Sequence, residues 1–265
     1  MKHYLVAVCF LFSLVAVSQE KSPHSQSMGS VSVYDDFHTN CSFTALLEQT
    51  EVSLGYHNSF FLSELGETVL HASIPASNVV HSYTISAFGY SDYNDITIKA
   101  SLARMFTPRM SAGISAAYLL HHHVGTEENM SGFKIVPGFY CYFAEDNMLA
   151  FYSEIGRKAY VIDNSKFFYS VFAAYNLTIN TYVNWATEIG MENKQFVGRM
   201  GFSYDVEKVS LRCGASVKPI RPSAGIGLDI DCFNFSCEAD YCNTLGTSMS
   251  IGLKWKIQNK KRDAK

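Results

Sequence analysis

The sequence predicts an all-β protein, a transmembrane antiparallel β-barrel of about 14 strands with a short N-terminal plug segment. Three observations predict this fold. Apolar and polar residues alternate with a period of two from about residue 51 onward, and no helical period competes there. The alternating runs are about nine to eleven residues long, enough for a tilted strand to cross a bilayer, whereas soluble strands centre on about five or six. Short and long connections also alternate, as in outer-membrane barrels.

The composition is consistent with a surface that does not face only water. Charged residues make up 17% of the chain, which also contains 16 tyrosines and 19 phenylalanines, whereas a soluble domain carries about a quarter charged residues. The net charge is only -3 and the Lys and Arg residues are scattered, so we expect no nucleic-acid partner. After the N-terminal apolar run, no apolar segment is long enough for a membrane helix.

The N-terminus resembles a secretory signal peptide. Lys2 and His3 precede an apolar run, and the small residues Ala16 and Ser18 precede Gln19. We therefore expect residues 1–18 to be cleaved, residues 19–50 to form a plug or periplasmic segment, residues 51–257 to form the barrel, and residues 258–265 to form a basic periplasmic tail. The expected location is the bacterial outer membrane, with the lipid bilayer and lipopolysaccharide as surroundings.

The first half of the barrel contains seven candidate strands. Strand 1 is EVSLGYHN (51–58), strand 4 is DITIKASL (95–102), and strand 5 lies within RMSAGISAAYLL (109–120). In strand 5, the apolar set is Met110, Ala112, Ile114, Ala116, Tyr118 and Leu120, and the residues between them are mostly small or polar. Less regular runs at 67–74, 80–89, 132–143 and 147–155 supply strands 2, 3, 6 and 7.

The second half supplies the other seven. Strand 8 is the less regular run 167–175, and strand 9 lies within INTYVNWATEIGM (179–191). Strands 10 to 14 alternate clearly and lie within QFVGRMGFSY (195–204), VSLRCGASV (209–217), SAGIGLDID (223–231), NFSCEADY (234–241) and SMSIGLKWKI (248–257). An even count places both ends of a closed antiparallel barrel on the periplasmic side.

The connections test this arrangement. Links after even-numbered strands should be short, and we place them at residues 76–78, 107–108, 145–146, 177–178, 207–208 and 232–233. Links after odd-numbered strands are free to lengthen, as at 57–66, 121–131 and 156–166, although the link at 192–194 is short.

The polar strand faces indicate where the lumen lies. Mixed charges fall among Gly and Ser on those faces, and the candidates for the lumen are Lys99, Lys134, Glu154, Glu188, Arg199, Arg212, Asp229, Glu238, Asp240 and Lys254. In a membrane barrel the apolar faces meet lipid and closure pairs every backbone group. The alternative is a secreted two-sheet sandwich, which predicts shorter strands and more surface Lys and Glu.

Aromatic rings provide a further criterion. Tyr90, Tyr93, Tyr118, Tyr140, Tyr142, Tyr204, Tyr241 and Trp255 concentrate toward strand ends, where rings anchor at membrane interfaces. Aromatic pairs within the sheet are an alternative for part of this set.

The N-terminal segment resembles that of a known family. Met28, Gly29, Val31, Val33, Asp35 and Asp36, followed by the run 51–56 (EVSLGY), are similar to the opening of the PorV/PorQ outer-membrane barrels of Bacteroidota, which in turn resemble the FadL fatty-acid transporters. ISAFGYSDYND (85–95) extends the resemblance. Where that family has Asn-Pro-Ala-Gly-Leu, this chain reads Asn40-Cys41-Ser42-Phe43-Thr44.

The resemblance implies that residues 19–50 fold partly into the lumen, with Met28, Gly29, Asp35, Asp36, Phe43, Leu46 and Leu47 as plug candidates. The residues themselves also indicate one or two helical turns over 42–49, with a possible N-cap at Ser42 and apolar positions 43, 46 and 47.

No catalytic or metal site is expected. His121, His122 and His123 are consecutive, and because successive side chains of a strand point to opposite faces they cannot easily share one ion. No nucleophile has its base at a recognisable spacing. Six cysteines follow the signal sequence, and three states remain open for them: isolated thiols, one disulfide, or a metal site.

Three functions are compatible with the sequence. One is a plugged channel or binder for a small hydrophobic molecule, without a cofactor. The second is a non-transporting barrel that serves as a platform for protein secretion or surface attachment, with secreted proteins as partners. The third is a structural barrel whose lumen is filled by its mixed charges. Fold analogy motivates the first two.

Overall fold

The computed structural model describes residues 26–33, 38–123, 130–158, 166–192, 194–218 and 220–257. The predicted signal peptide, the residues Asp35 and Asp36, and the basic tail lie outside the described residues. Among the described residues, no helix is long and apolar enough to cross a bilayer.

Fourteen strands form one closed antiparallel barrel. They are β1 (Thr50–Asn58), β2 (Gly66–Ala76), β3 (Val79–Tyr90), β4 (Tyr93–Thr107), β5 (Met110–His123), β6 (Met130–Ala144), β7 (Asn147–Lys158), β8 (Lys166–Asn180), β9 (Val183–Glu192), β10 (Gln195–Val206), β11 (Val209–Val217), β12 (Arg221–Ile230), β13 (Phe233–Cys242) and β14 (Gly246–Ile257). Every strand pairs with its neighbours in sequence, and β1 pairs with β14 from Thr50 opposite Ile257 to Asn58 opposite Met249. The predicted fold class and strand number are confirmed.

Three short 3-10 helices accompany the barrel, at Gln26–Met28, Cys41–Leu46 and Ser63–Leu65. The first two precede β1 and the third lies in the β1–β2 connection. We call the barrel end that carries Thr50 and Ile257 the terminal end, and the other the opposite end.

Side chains alternate between an exposed apolar outer face and a buried inner face. On the outside, apolar residues around the whole barrel are about half exposed, among them Leu54, Ile85, Ile98, Ile114, Ile155, Ile189, Leu211 and Ile251. On the inside, serines and charged side chains are buried. A polypeptide in water would bury its aliphatic side chains and expose its charges, so this barrel suits a lipid surround.

One expectation about strand length and three about turns are wrong. Strands β4, β6 and β8 reach 15 residues, beyond the expected range. The turn after β8 lies at 181–182 rather than 177–178, because β8 continues through an irregularity between Thr178 and Asn180. The Asn180 side chain then accepts the backbone N–H of Tyr182 at 2.9 Å, which forms a local Asn turn. The turn after β12 lies at 231–232, one residue earlier than expected, and the turn after β4 lies at 108–109, one residue later.

Candidate functional site

Two stretches before β1, residues 26–33 and 38–46, enter the barrel. Met28, Val31 and Ser32 are fully buried, and both stretches contact strands on several sides of the lumen. We call these two stretches the lumen segment. They cross the lumen between its walls, so their attachments determine how it is filled.

A carboxyl group on β13 holds the first part of the lumen segment. The backbone N–H of Ser27 donates to Glu238 at 2.7 Å, and Arg212 Nη1 donates to the same carboxyl group at 3.2 Å. Arg212 and Glu238 lie on β11 and β13 and face each other across Gly225 of β12, which is in register with both. The glycine leaves the space in which this pair and Ser27 meet.

A second carboxyl group, on β9, holds the stretch three to five residues later. Glu188 accepts the backbone N–H of Ser32 at 2.9 Å and also its hydroxyl. Arg199, its cross-strand neighbour on β10, donates to Glu188 at 2.5 Å and to the carbonyl of Ser30 at 3.4 Å. Ionised donors and acceptors give the strongest hydrogen bonds, especially when buried. Each carboxyl group therefore joins an arginine of the wall to a main-chain N–H of the lumen segment.

The second stretch is held through its carbonyl groups. Lys99 Nζ donates to the carbonyl of His38 at 2.7 Å, and Ser111 Oγ donates to the carbonyl of Ser42 at 2.7 Å. The imidazole of His38 lies against that of His71 on β2, with 4.4 Å between ring centroids. Asn40 caps the short helix at Cys41–Leu46 by accepting the N–H of Ser42 at 3.1 Å, so the N-cap lies two residues before the expected Ser42.

Inward-facing glycines let the lumen segment approach the wall. A Cβ at Gly214 would lie 2.3 Å from the backbone nitrogen of Gly29, and a Cβ at Gly201 would lie 2.5 Å from the carbonyl oxygen of Met28. These two glycines are cross-strand partners on β10 and β11. Gly113 and Gly138 are partners on β5 and β6, and a Cβ at Gly138 would lie 2.1 Å from Asn40 Oδ1. We call Gly113, Gly138, Gly201, Gly214 and Gly225 the glycine cradle.

One wall of the lumen is apolar. Met28, Val31, Val33 and Phe43 of the lumen segment pack with Tyr140, Met148, Ala150, Ala174 and Ala186 of β6 to β9. Phe43 stacks parallel to Tyr140 with 5.2 Å between ring centroids. Farther from the terminal end, Val136, Tyr152 and Phe172 form a second apolar cluster, against which Val197 packs. We call the inward apolar residues of β6 to β9, together with Val197, the apolar stripe.

The remaining walls are mainly polar, although Val69, Val80, Ala103, Ala117 and Leu119 of β2 to β5 are also buried on the inner face. Buried serines and threonine line β1 to β5 (Ser53, Ser73, Ser82, Thr84, Ser86, Ser101, Ser115) and β11 to β14 (Ser210, Ser223, Ser236, Ser248, Ser250). Two of these hydroxyl groups form hydrogen bonds with His71, whose ring nitrogens lie 2.8 Å from the hydroxyl oxygens of Thr84 and Ser73. The lumen is therefore two-sided, with the apolar side chains of the lumen segment facing the apolar stripe.

The other lumen candidates lie on the inner wall as ion pairs or at the terminal end. Lys134 pairs with Glu154 at 3.7 Å and Lys254 with Glu51 at 3.6 Å. Asp240 lies 3.9 Å from Arg221. Asp229 is exposed and accepts from Asn234 Nδ2 at 2.8 Å, and it lines a cavity of about 340 Å³ together with Lys254, Lys256, Glu207 and Leu47.

The plug candidates divide into two groups. Met28, Gly29 and Phe43 are buried inside the barrel, whereas Leu46 is 39% exposed and Leu47 is half-buried at the terminal end. The expected apolar set over 43, 46 and 47 is wrong in this respect, because the short helix is a 3-10 helix that ends at Leu46.

Within the described part of the chain, His121 has a carboxylate neighbour and the cysteines are unbridged. His121 Nδ1 lies 2.5 Å from Asp95, and no cluster among the described residues has the ligands of a metal ion. Cys41, Cys141, Cys213, Cys232, Cys237 and Cys242 are free thiols. Burial raises the pKa of the Cys41 thiol to about 11, so this thiol stays protonated in neutral solution.

Two tyrosines expected near the membrane interface lie in the lumen instead. Tyr140 is fully buried, and Tyr142 is half-buried and packs edge-on against it. Both lie an even number of residues from Gly138 on β6, so their side chains are on the same inward face of the strand. Trp255 and Tyr118 do lie on the outer face.

The sequence patterns did not predict that the glycine cradle and the alanines of the apolar stripe contact the lumen segment. Ala150 and Ala174 are cross-strand partners, and Ala174 is opposite Glu188. The available signal was a run of very small residues at inward positions of neighbouring strands, since small residues there leave room for a second chain segment.

Comparisons with known proteins support the fold. No family model and no curated protein matches the chain. Among solved structures, the toluene transporter TbuX of Ralstonia pickettii is similar at 9% identity, covering 89% of this chain and 98% of that chain with a TM-score of 0.69. The toluene transporter TodX of P. putida has 8% identity, 90% and 99% coverage and a TM-score of 0.65. A FadL homologue of Pseudomonas aeruginosa has 7% identity, 90% and 98% coverage and a TM-score of 0.62. At these identities the similarity shows the barrel fold.

Proposed function

We propose that the chain is an outer-membrane barrel that admits a small hydrophobic molecule and that its lumen segment closes the path. The observation that carries the proposal is the apolar stripe, which runs through a lumen whose other walls are mainly serine-rich and charged. A water-filled pore for polar solutes has no use for such a stripe, whereas an apolar molecule would gain about 25 cal/mol for each Å² of apolar surface that it buries there.

The closed path follows from the contacts of the lumen segment. Met28, Val31 and Phe43 cover part of the apolar stripe, and the pairs Glu188–Arg199 and Glu238–Arg212 hold the segment over it. A passing molecule therefore has to displace this segment or move along its edge. The toluene transporters with similar barrels support a hydrophobic cargo for this chain.

Uptake by intact cells tests the proposal. Radiolabelled naphthalene is offered to a Gram-negative host with and without the barrel, because its lipopolysaccharide leaflet is the barrier to apolar solutes. We expect faster uptake with the barrel and a several-fold loss of that gain for Val197→Asn on the apolar stripe. Ser236→Asn on a serine wall is the matched control and should keep the gain. Equal uptake with and without the barrel would reject the proposal.

A second candidate function is favoured by a different observation. Two buried arginine–glutamate pairs and a lysine fix the lumen segment, and a barrel that only displays or anchors other proteins does not need an open lumen. On this alternative the protein is a PorV/PorQ-type platform of Bacteroidota for secreted or surface-attached proteins. Crosslinking in native outer membranes discriminates: a secreted partner supports the platform, and an uncrosslinked barrel with naphthalene uptake supports the channel.

Export to the outer membrane is part of both candidates. We propose cleavage after Ser18 and contact of the outer face with lipopolysaccharide. Mass measurement of the barrel extracted from outer membranes should give a chain that begins at Gln19, and recovery of the barrel from the soluble periplasm would contradict both candidates.

A further inference from the structure

We infer that the lumen is a binding site for peptides of more than one sequence, and that the chain's own lumen segment occupies it. Its ligand class is a short Gly- and Ser-rich peptide that turns and carries apolar side chains on one side. This inference goes beyond the proposed function and does not depend on whether hydrophobic molecules pass.

The wall binds the main chain of the lumen segment. N–H groups of Ser27 and Ser32 donate to Glu238 and Glu188 at 2.7 and 2.9 Å. Ser223 Oγ accepts from the N–H of Gly29 at 3.2 Å and donates to the carbonyl of Ser27 at 3.1 Å. Arg199, Lys99 and Ser111 donate to the carbonyls of Ser30, His38 and Ser42. Main-chain groups are common to all peptides, so these contacts do not require this particular sequence.

The glycine cradle has room for a second chain. Gly201, Gly214 and Gly225 lie on three consecutive strands, and a Cβ on any of them would come within 2.8 Å of residues 27–29. Glycines in the middle of strands weaken a sheet and often mark a close approach of another backbone. At Gly201 and Gly214 the approaching atoms belong to the backbone of Met28 and Gly29, and at Gly225 they belong to the side chain of Ser27.

The turn at 26–30 restricts which residues a bound peptide can carry. Gly29 has a φ of +69° and Ser30 a φ of +63°, so this turn requires residues that tolerate the left-handed region. A Cβ at Gly29 would also lie 2.6 Å from the carbonyl oxygens of Ala215 and Met200. Met28 and Val31 fill apolar space beside the alanines of β7 to β9. Small residues at 27, 29 and 30 and apolar residues at 28 and 31 define the peptide class.

The test uses the complete, folded chain. A protease recognition sequence is inserted after Glu48, which is exposed together with Gln49 at the terminal end, and the folded barrel is cleaved in detergent. We expect the released segment to remain with the barrel during gel filtration and to exchange for an excess of fluorescent peptide that spans residues 26–46, with one peptide bound per barrel.

Three peptides separate main-chain recognition from recognition of one sequence. A peptide with Met28→Leu, Ser30→Gly and Val31→Ile keeps the pattern and should bind within a few-fold of the native peptide. A peptide with Gly29→Val should bind at least 100-fold more weakly. A barrel with Gly214→Ala should bind the native peptide more weakly. A barrel with Gly198→Ala, whose Cβ would have no contact closer than 3.8 Å, should bind it as the unchanged barrel does.

Two results would overturn the inference. One is a cleaved segment that leaves the barrel while added native peptide fails to bind, because the lumen then has no affinity for a separate peptide. The other is binding of the native peptide with no binding of the pattern-keeping peptide, because recognition is then specific to this sequence.

Discussion

The carboxyl group of Glu188 accepts the backbone N–H of Ser32 at 2.9 Å, although 156 positions separate the two residues in the chain. Arg199 donates to the same carboxyl group at 2.5 Å and lies 5.1 Å from the ring centroid of Phe172. One buried pair thus connects the apolar stripe, the barrel wall and the lumen segment.

Replacing Arg199 alone should lower the free energy of unfolding more than replacing both Arg199 and Glu188. Arg199→Met leaves the Glu188 charge buried without its partner, and such a change costs about 3–5 kcal/mol. The double variant Arg199→Met with Glu188→Gln removes that charge and should recover most of the loss. The measurement is the free energy of unfolding by urea in lipid vesicles. Equal losses for the single and double variants would contradict the assignment.

A methyl group in the cradle should displace the Asn40 cap. In Gly138→Ala, the new Cβ meets Asn40 Oδ1 at 2.1 Å, and overpacking of this kind costs about 1–3 kcal/mol. Gly198→Ala is the control, since it has room for a Cβ and should change stability by less than about 0.5 kcal/mol. Thermal unfolding in detergent compares the two. If the control loses as much as Gly138→Ala, close packing of the lumen segment is not the cause.

Alkylation of Cys41 should report the position of the lumen segment. The thiolate is the reactive form, and burial raises the pKa of Cys41 to about 11, so the reactive fraction at pH 8 is small and grows only as the pH approaches 11. Iodoacetamide at pH 8, followed by mass spectrometry, should label the half-buried Cys232 of the β12–β13 turn faster than Cys41. Gly138→Ala should accelerate labelling of Cys41. Equal rates for the two thiols in the unchanged protein would place Cys41 outside the lumen.

A charge on the outer face should be costly in the middle of the barrel and tolerated near its end. Ile114 is 52% exposed on the outer face of β5, and Phe106 is 65% exposed near the terminal end of β4. Arginine on a lipid face costs about 2–4 kcal/mol at mid-membrane and about 0–1 kcal/mol at the interface. Folding into vesicles should therefore be impaired by Ile114→Arg and nearly unaffected by Phe106→Arg. The reverse order would shift the membrane region along the strands.

The strands were predictable because the face of each residue is a local property. Ile114 and Ser115 differ in environment since neighbouring side chains of a strand point to opposite sides, and this holds whatever the rest of the chain does. The turn after β8 was also readable, since Asn180 is a common turn residue, but the alternation around Thr181 and Val183 outweighed that signal.

The contacts of the lumen segment were beyond the sequence. Ser27 contacts Glu238 only after all fourteen strands close into a barrel, and no local sequence pattern around either residue predicts this contact. Lys99, Glu188, Arg199, Arg212 and Glu238 were identified as lumen residues from their position on polar faces. Their role in binding main-chain groups depends on the path of residues 26–46, which the strand pattern does not determine.

Spin-label scanning of β5 in a lipid bilayer tests the central claim most directly. Single labels are placed at each position from Ser111 to Leu120, and their collisions with oxygen, which concentrates in lipid, and with a water-soluble nickel complex are compared. We predict high oxygen accessibility at Ala112, Ile114, Ala116, Tyr118 and Leu120, and low accessibility to both reagents at Ser111, Gly113, Ser115, Ala117 and Leu119. Nickel accessibility at Ile114 and Ala116 equal to that of an exposed loop would contradict the account, because their apolar side chains would then face water.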